Sequence, residues 1–197
     1  MNPKHPSFTD LLARVRSCRA CADLPCGPRP IVQADPGARI PLAGQAPGSR
    51  VHETGIPWND RSGDRLRLWL SVDHALFYSP LFAIIPMGLC YPGPGPYGDA
   101  PPRPGCAPLW HRALCDARPH IELTLLIGRY AQNAYLAGKT KTLPLKSAVR
   151  SGANYGVFWP LPHPSGRNNR GLAHNPWFIT DILQKLKTRV HDIITGA

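Results

Sequence analysis

The sequence predicts an α/β protein: a three-layer α/β/α domain with a central, mainly parallel four-stranded sheet. Three observations predict it. Four short apolar segments are spaced along the 197 residues, amphipathic segments alternate with them, and the 24 Pro and 18 Gly residues cluster in the connections. Strands that alternate with helices usually form one parallel sheet covered on both faces. A chain of this length supports one well-buried domain, so we assign residues 1–197 to a single domain.

The first half of the chain contains two of the predicted strands, residues 40–43 and 82–85. Apolar residues at helical spacing predict a helix over residues 7–17. A second helix is expected to run to Leu70 with Ser62 as its N-cap. Residues 91–106 are too rich in Pro and Gly for a helix or a central strand, and long ordered loops of this kind are usually functional.

The second half alternates in the same way. It predicts a helix over residues 108–117, a strand over 123–127, a helix from Gly128 to about Ala137, a basic connection over 139–150 and a strand over 157–161. Asn175 is a suitable N-cap and Pro176 a suitable first residue for a last helix that runs to about His191.

The net charge indicates the class of partner, and the membrane-span and signal patterns indicate the compartment. The net charge is +11 and the pI about 9.8, which favours a polyanion, nucleic acid first and an anionic membrane second. No segment approaches the roughly 20 apolar residues of a membrane span, and residues 1–16 do not have the pattern of a secretory signal. We therefore expect a cytoplasmic protein, a monomer, whose cysteines are metal ligands or free thiols.

Two loops at predicted strand ends carry the clearest functional signals. The Gly44 loop, Gly44-Gln45-Ala46-Pro47-Gly48, allows backbone to approach a ligand closely. The His163 loop, residues 163–168, offers the imidazole of His163 and the hydroxyl of Ser165 in a rigid His-Pro-Ser turn. Strand ends of open α/β sheets share one crevice, so the two loops are expected to form one site.

The six cysteines include a second candidate site. Cys18 and Cys21 form a C-x2-C pair, and Cys90 and Cys106 flank the Pro/Gly loop. Four thiolates suit either tetrahedral zinc or an iron–sulfur cluster. The alternative is a set of ordinary buried thiols, and Cys26 and Cys115 stay unassigned.

Taken together, these motifs resemble the uracil-DNA glycosylase superfamily, nearest its iron–sulfur-containing microbial branches, families four and five. The resemblance covers about residues 15–180. It rests on four features in the family's order: the Gly44 loop, the segment Thr54-Gly55-Ile56-Pro57-Trp58 with Asp60-Arg61-Ser62-Gly63, the His163-Pro164-Ser165 turn, and the cysteine spacing. It implies an α/β/α fold, hydrolysis of the N-glycosidic bond of a damaged base in DNA, and a structural 4Fe-4S cluster on Cys18, Cys21, Cys90 and Cys106, with zinc as the alternative.

The resemblance also implies individual roles. His163 would stabilise the departing base, the Gly44 loop and Ser165 would contact it, and Trp58 would stack on it; core packing is the alternative for Trp58. The best-known branch of the superfamily carries an acid at the third position of the Gly44 loop, where this chain has Ala46. Asp60 is the expected replacement, with helix-start electrostatics as its alternative role. Gln45 and His52 are weaker candidates for positioning water.

Other departures from the family pattern concern specificity. Residues 84–89 lack the amide side chain with which several branches read uracil, so we expect wider acceptance of deaminated or oxidised bases. Arg167 and Asn168 are expected to contact DNA, and Gly166 should make that loop flexible and favour single strands. Two other classes stay open: a nucleic-acid-binding protein without the chemistry, which Ala46 favours, and a metal-dependent redox sensor.

Overall fold

The computed structural model describes residues 7–118, 120–136 and 145–197. Its central sheet contains four strands in the order β2-β1-β5-β6, and every neighbouring pair is parallel. A separate antiparallel hairpin lies in the Pro/Gly loop. In chain order the strands are β1 Ile40–Ala43, β2 Phe82–Ile84, β3 Pro94–Gly95, β4 Gly98–Asp99, β5 Thr124–Ile127 and β6 Phe158–Leu161. The sheet therefore confirms the predicted class and strand count.

Helices fill the connections. They are α1 Phe8–Arg16, α2 Ser49–Thr54, α3 Arg61–Leu70, α4 His74–Phe77, α5 Cys106–Asp116, α6 Arg129–Tyr135, α7 Leu145–Arg150, α8 Asn169–Ala173 and α9 Leu183–Thr195. Short 3-10 turns cover Gly152–Tyr155 and Gly166–Asn168, and the π-helical segment Phe178–Ile182 leads into α9. Within the described ranges, each helix is too short or too polar to cross a bilayer.

The strands bury both of their faces, which is why they read as continuous apolar runs. On one face, α3 and α9 pack against the sheet through a cluster that includes Leu66, Trp69, Phe178 and Leu186. On the other, α1 and α5 pack against Ala83 and Ile85, the residues of β2 and its extension that point away from the first cluster. The result is the expected three-layer arrangement.

Strand order determines where a site can form. The chain goes from β1 to its neighbour β2 on one side, and β5 and β6 lie on the other side of β1. Because all four strands are parallel, the loops that leave their carboxyl ends meet at one edge. The crevice between β1 and β5 is the point where strand order reverses, the usual ligand position in open α/β sheets.

Three local predictions are corrected by the structure. Asp60, and not Ser62, caps α3: its Oδ1 accepts a hydrogen bond from the Gly63 backbone N–H at 2.8 Å. Asn175 does not cap the last helix, because its side chain binds the Gly171 carbonyl and the Trp177 indole. The predicted basic connection 139–150 ends in helix α7, and its residues 139–144, like Ala137, lie outside the described residues.

Candidate active site

A cavity of about 510 Å³ opens at the carboxyl edge of the sheet. Loops after all four central strands line it, through Gly44 after β1, Pro86 after β2, Gly128 after β5 and His163 after β6. The cavity brings together the proposed catalytic, substrate-binding and DNA-binding residues: Gly44, Gln45, Ala46, Pro47, Gly48, Trp58, Asp60, His163, Ser165, Arg167 and Asn168. The two loops thus form one site, as the sequence predicts.

A backbone hydrogen bond determines which nitrogen of the His163 ring carries the proton. The backbone N–H of Ser165 donates to Nδ1 of His163 at 3.2 Å. Nδ1 is therefore an acceptor, and the proton of the neutral ring lies on Nε2. Burial lowers the pKa of His163 below its usual value, against the opposing effect of the Asp60 carboxylate, and the Arg167 charge lowers it further. The ring is thus a neutral imidazole that offers an Nε2–H donor.

Trp58 lies between the two loops in a strained backbone conformation. Its φ is +56°, a left-handed value that is uncommon for a bulky residue and costs about 1–3 kcal/mol. Its ring centroid is 5.5 Å from that of His163. A Cβ on Gly44 would lie 3.2 Å from Cζ2 of the indole, so glycine leaves room for the ring. Trp58 also packs against the main core, so the core-packing role considered for it is present in the structure.

Helix α3 holds this strained turn in place. A Cβ on Gly63 would come within 1.8 Å of the Trp58 carbonyl oxygen, so only glycine allows the helix to approach so closely. The Tyr78 hydroxyl donates to the Pro57 carbonyl at 2.7 Å. Strain of this kind persists where surrounding structure determines it, and it is concentrated at functional sites.

Asp60 lines the cavity while it caps α3. Its Oδ1 is engaged by Gly63, and its negative charge partly opposes the lowering of the His163 pKa by burial. The alternative role considered for Asp60, at the helix start, is therefore present in the structure. Its position also leaves it beside the proposed leaving-group donor.

The residues proposed to bind DNA have partners within the protein. Asn168 Nδ2 donates to the His163 carbonyl at 2.7 Å, which holds the His163 loop closed. The Arg167 guanidinium donates to the Tyr97 carbonyl in the hairpin formed by residues 94–99. Gly98 has φ +126°, a backbone conformation that favours glycine, and the Arg167 guanidinium occupies the space beside its Cα where a Cβ would lie.

Within residues 84–89, the segment without an amide side chain, backbone groups form hydrogen bonds inside the protein. The Met87 N–H donates to the Gly44 carbonyl, and the Gly88 N–H donates to the Gln45 carbonyl, each at 2.9 Å. The Pro86 carbonyl accepts from Nε2 of His111 at 2.9 Å. Burial lowers the pKa of His111, which keeps this ring neutral. These three backbone groups are thus occupied by the protein itself.

The cavity lining also includes charged and tyrosine side chains that were not singled out from the sequence: Tyr97, Asp99, Arg129 and Tyr130. Arg129 and Tyr130 follow β5 at the start of α6 and are exposed. The Pro/Gly composition marked residues 91–106 as a functional loop, but it gave no signal as to which side chain acts.

The four proposed cysteine ligands line a second, smaller cavity of about 160 Å³. The Leu89 N–H donates to Cys106 Sγ at 3.3 Å. Burial raises the pKa of Cys90 to about 11, although a backbone hydrogen bond from Arg29 opposes it. Over the described part of the chain, no group of three or more His, Cys, Asp or Glu side chains has the arrangement of a metal site. The structure thus brings the four thiols together at one cavity.

The two leftover cysteines lie elsewhere. Cys26 is exposed, and Cys115 lies 3.8 Å from the Tyr135 hydroxyl.

The smaller cavity contains four thiols, and backbone N–H groups donate to two of their sulfur atoms. This donor set is chemically suited to a thiolate-bound metal.

Comparison with known protein families matches residues 31–187 to the Uracil DNA glycosylase superfamily. The match spans most of the chain and includes every strand, the Gly44 loop and the His163 loop. Members of such a family are glycosylase-type hydrolases that act on DNA, in keeping with the basic composition. Fold, site and family match agree, and the chain belongs to the uracil-DNA glycosylase superfamily.

Proposed function

We propose that this protein is a DNA repair enzyme that hydrolyses the N-glycosidic bond of uracil in DNA and leaves an abasic site. The observation that carries the proposal is the neutral His163 ring, whose Nε2–H is left to donate because Ser165 occupies Nδ1. Departure of uracil leaves negative charge on the base, and a positioned donor stabilises such charge as an oxyanion hole does.

The substrate base must leave the duplex before it enters the cavity, because the glycosidic bond is inaccessible in stacked DNA. Extrusion costs a few kcal/mol, which phosphate contacts and stacking offset. The net charge of +11 supplies sequence-independent attraction to the phosphates. Trp58 offers an aromatic face at the cavity, and Arg167 and Asn168 lie where the His163 loop meets solvent.

Cleavage then follows from the charges in the cavity. The C1′–N bond breaks, its electron pair leaves with the base, and His163 Nε2–H stabilises the resulting anion. The sugar becomes cationic, and the Asp60 carboxylate stabilises that charge. Water adds to C1′ and loses a proton. A Schiff-base lysine is not part of this scheme, so we propose a monofunctional enzyme that does not cut the strand itself.

We also propose wider base acceptance than uracil alone, and a preference for single strands. Wider acceptance is expected because Pro86 and Met87 carry no amide side chain to pair with the edge of uracil. A base other than uracil therefore leaves no buried amide unpaired, and the energetic penalty that would exclude such a base is missing. Gly166 gives the His163 loop little bulk with which to wedge a duplex open. A panel of lesions in single- and double-stranded oligonucleotides measures both preferences, and strict excision of uracil, or faster excision from duplex, contradicts the respective preference.

The four-cysteine cavity is proposed to hold a structural 4Fe-4S cluster, with zinc as the alternative. Cys18, Cys21, Cys90 and Cys106 would be the ligands, and the cluster would link the N-terminal turn to the segment after β2 without a part in hydrolysis. Iron, sulfide and zinc analysis of the purified protein tests this. Neither metal in the wild-type protein, or unchanged metal content in Cys18→Ala, contradicts it.

A different class of function is favoured by one residue. Ala46 stands where the best-known branch carries an acid, as expected of a protein that binds nucleic acid without cleaving a bond. Alkali-sensitive strand cleavage of a uracil-containing oligonucleotide distinguishes the two. Cleavage by the wild type, with none by His163→Ala at equal DNA binding, supports the enzyme; binding without cleavage by the wild type supports the alternative.

A further inference from the structure

The hairpin formed by residues 94–99 brings a second carboxylate to the candidate active site. Asp99, the last residue of β4, lines the same cavity as Trp58, Asp60 and His163. It lies at the open mouth of that cavity, where water has access.

The hairpin lies beside the Gly44 loop, whose third residue, Ala46, has no acidic side chain. A Cβ on Gly48 would lie 3.3 Å from Oδ2 of Asp99, so the carboxylate rests against the end of the Gly44 loop. Gln45 Nε2 donates to the Ala100 carbonyl at 3.1 Å, which ties the loop to the residue after Asp99. The hairpin thus supplies an acid on the side of the cavity where Ala46 has none.

The surroundings of Asp99 suit a proton acceptor. Although Asp99 is an exposed residue, partial burial of its carboxyl group raises its pKa above the usual value, while the Arg167 charge and a hydrogen bond with Tyr91 favour the ionised form and the Asp60 charge opposes it. A carboxylate with a raised pKa takes up a proton more readily than an ordinary one. Arg167 also donates to the Tyr97 carbonyl, so the His163 loop anchors the hairpin from the other side.

Asp60 has a structural role in addition to its place in the cavity. Its Oδ1 is already an acceptor for the Gly63 N–H at 2.8 Å and holds the start of α3. The two carboxylates therefore differ: one is built into a helix cap beside His163, and the other is presented on a hairpin next to the Gly44 loop.

We propose that Asp99 is a catalytic residue that accepts the proton of the attacking water, while Asp60 stabilises the sugar cation. The water oxygen forms the new bond to C1′, its proton passes to the Asp99 carboxylate, and the C1′–N bond breaks with its electron pair on the departing base. No oxidant or further reactant is needed. This inference rests on the proposed glycosylase function.

The test is single-turnover excision from a uracil-containing single-stranded oligonucleotide with the full-length chain. Asp99→Asn keeps the shape of the side chain and should slow excision by at least about 100-fold, the lower range for loss of a general base. Affinity for the abasic product oligonucleotide should stay within about threefold. Asp99→Glu should recover part of the lost rate.

Asp116→Asn is the matched control, because it makes the same charge change on α5, where the side chain pairs with Arg112 at the surface. Its rate should equal that of the wild type, so that a general effect of charge on DNA binding is excluded. A rate for Asp99→Asn within threefold of the wild-type rate overturns the role of Asp99 and leaves the glycosylase function standing. A wild-type protein that excises no base overturns the glycosylase function itself.

Discussion

Replacement of Gly63 by alanine tests how the structure holds the Trp58 turn. The added Cβ would lie 1.8 Å from the Trp58 carbonyl oxygen, 2.7 Å from the carbonyl carbon and 3.0 Å from the Trp58 Cβ. Real Cβ atoms essentially never approach a neighbour more closely than 3.0 Å, so the carbonyl must move by more than 1 Å. The obstacle is backbone, which cannot rotate away as the end of a side chain can.

Two effects oppose each other in this variant. Alanine inside a helix is favoured over glycine by about 1 kcal/mol. Overpacking costs about 1–3 kcal/mol, and a shift of α3 would also weaken the Asp60 cap on Gly63, worth about 1 kcal/mol. The clash is the larger effect, so Gly63→Ala should be less stable than the wild type by about 1–3 kcal/mol and should excise uracil more slowly, because Trp58 is displaced.

Gly171 provides the control, since it lies inside α8 and a Cβ there would meet no atom within 4 Å. Gly171→Ala gains helix propensity without a clash, so urea unfolding should place the two variants about 2–4 kcal/mol apart. Equal unfolding free energies for Gly63→Ala and Gly171→Ala would refute the close approach of α3 to Trp58.

Three further predictions concern the same cavity. Gly44→Ala brings a methyl group to 3.2 Å from the Trp58 ring and should slow single-turnover excision, whereas Gly171→Ala, which would meet no atom within 4 Å, should not; equal rates would contradict the fit of the ring. Trp58→Ala should weaken substrate binding in a fluorescence titration by about 1–3 kcal/mol, with Trp58→Phe recovering most of it, and an unchanged affinity would exclude stacking. Because burial lowers the pKa of His163, the free energy of unfolding should stay level as pH falls to about 6.5 and decline below it, whereas excision should decline only at a lower pH, where the ring in the folded protein is protonated and no longer accepts from Ser165; a rate that rises on acidification would contradict the neutral ring.

The sheet and the two main loops were predictable because their signals are local. Each buried strand is a short apolar run, and the Gly44 and His163 loops follow two of them directly in sequence. Parallel strands then place both loops at one edge, so the common cavity follows from the strand pattern.

The rest depends on contacts between residues far apart in the chain. Asp99 reaches the cavity because the hairpin binds Gln45 on one side and Arg167 on the other, and neither contact leaves a trace in the sequence near Asp99. The difference between Asp60 and Ser62 as helix caps is decided by the helix beginning at Arg61. Both residue types are good caps, so composition alone does not separate them.

The hydrogen bond to the Pro86 carbonyl is another feature that the sequence does not predict. The sequence shows that residues 84–89 carry no amide side chain to read the base, and it does not indicate that the Pro86 carbonyl is already engaged. The imidazole of His111, on a helix more than 20 residues later, already occupies that carbonyl at 2.9 Å. A buried hydrogen bond of this kind depends on the packing of α5, which periodicity does not describe.

The central claim is that a neutral His163 stabilises the departing uracil through Nε2–H. Single-turnover excision from a uracil-containing oligonucleotide, compared between the wild type and His163→Ala at equal DNA binding, tests it most directly. Loss of one such donor costs about 10²–10³ in rate, so His163→Ala should be slower by at least 100-fold. A His163→Ala rate within a few fold of the wild-type rate would contradict the claim.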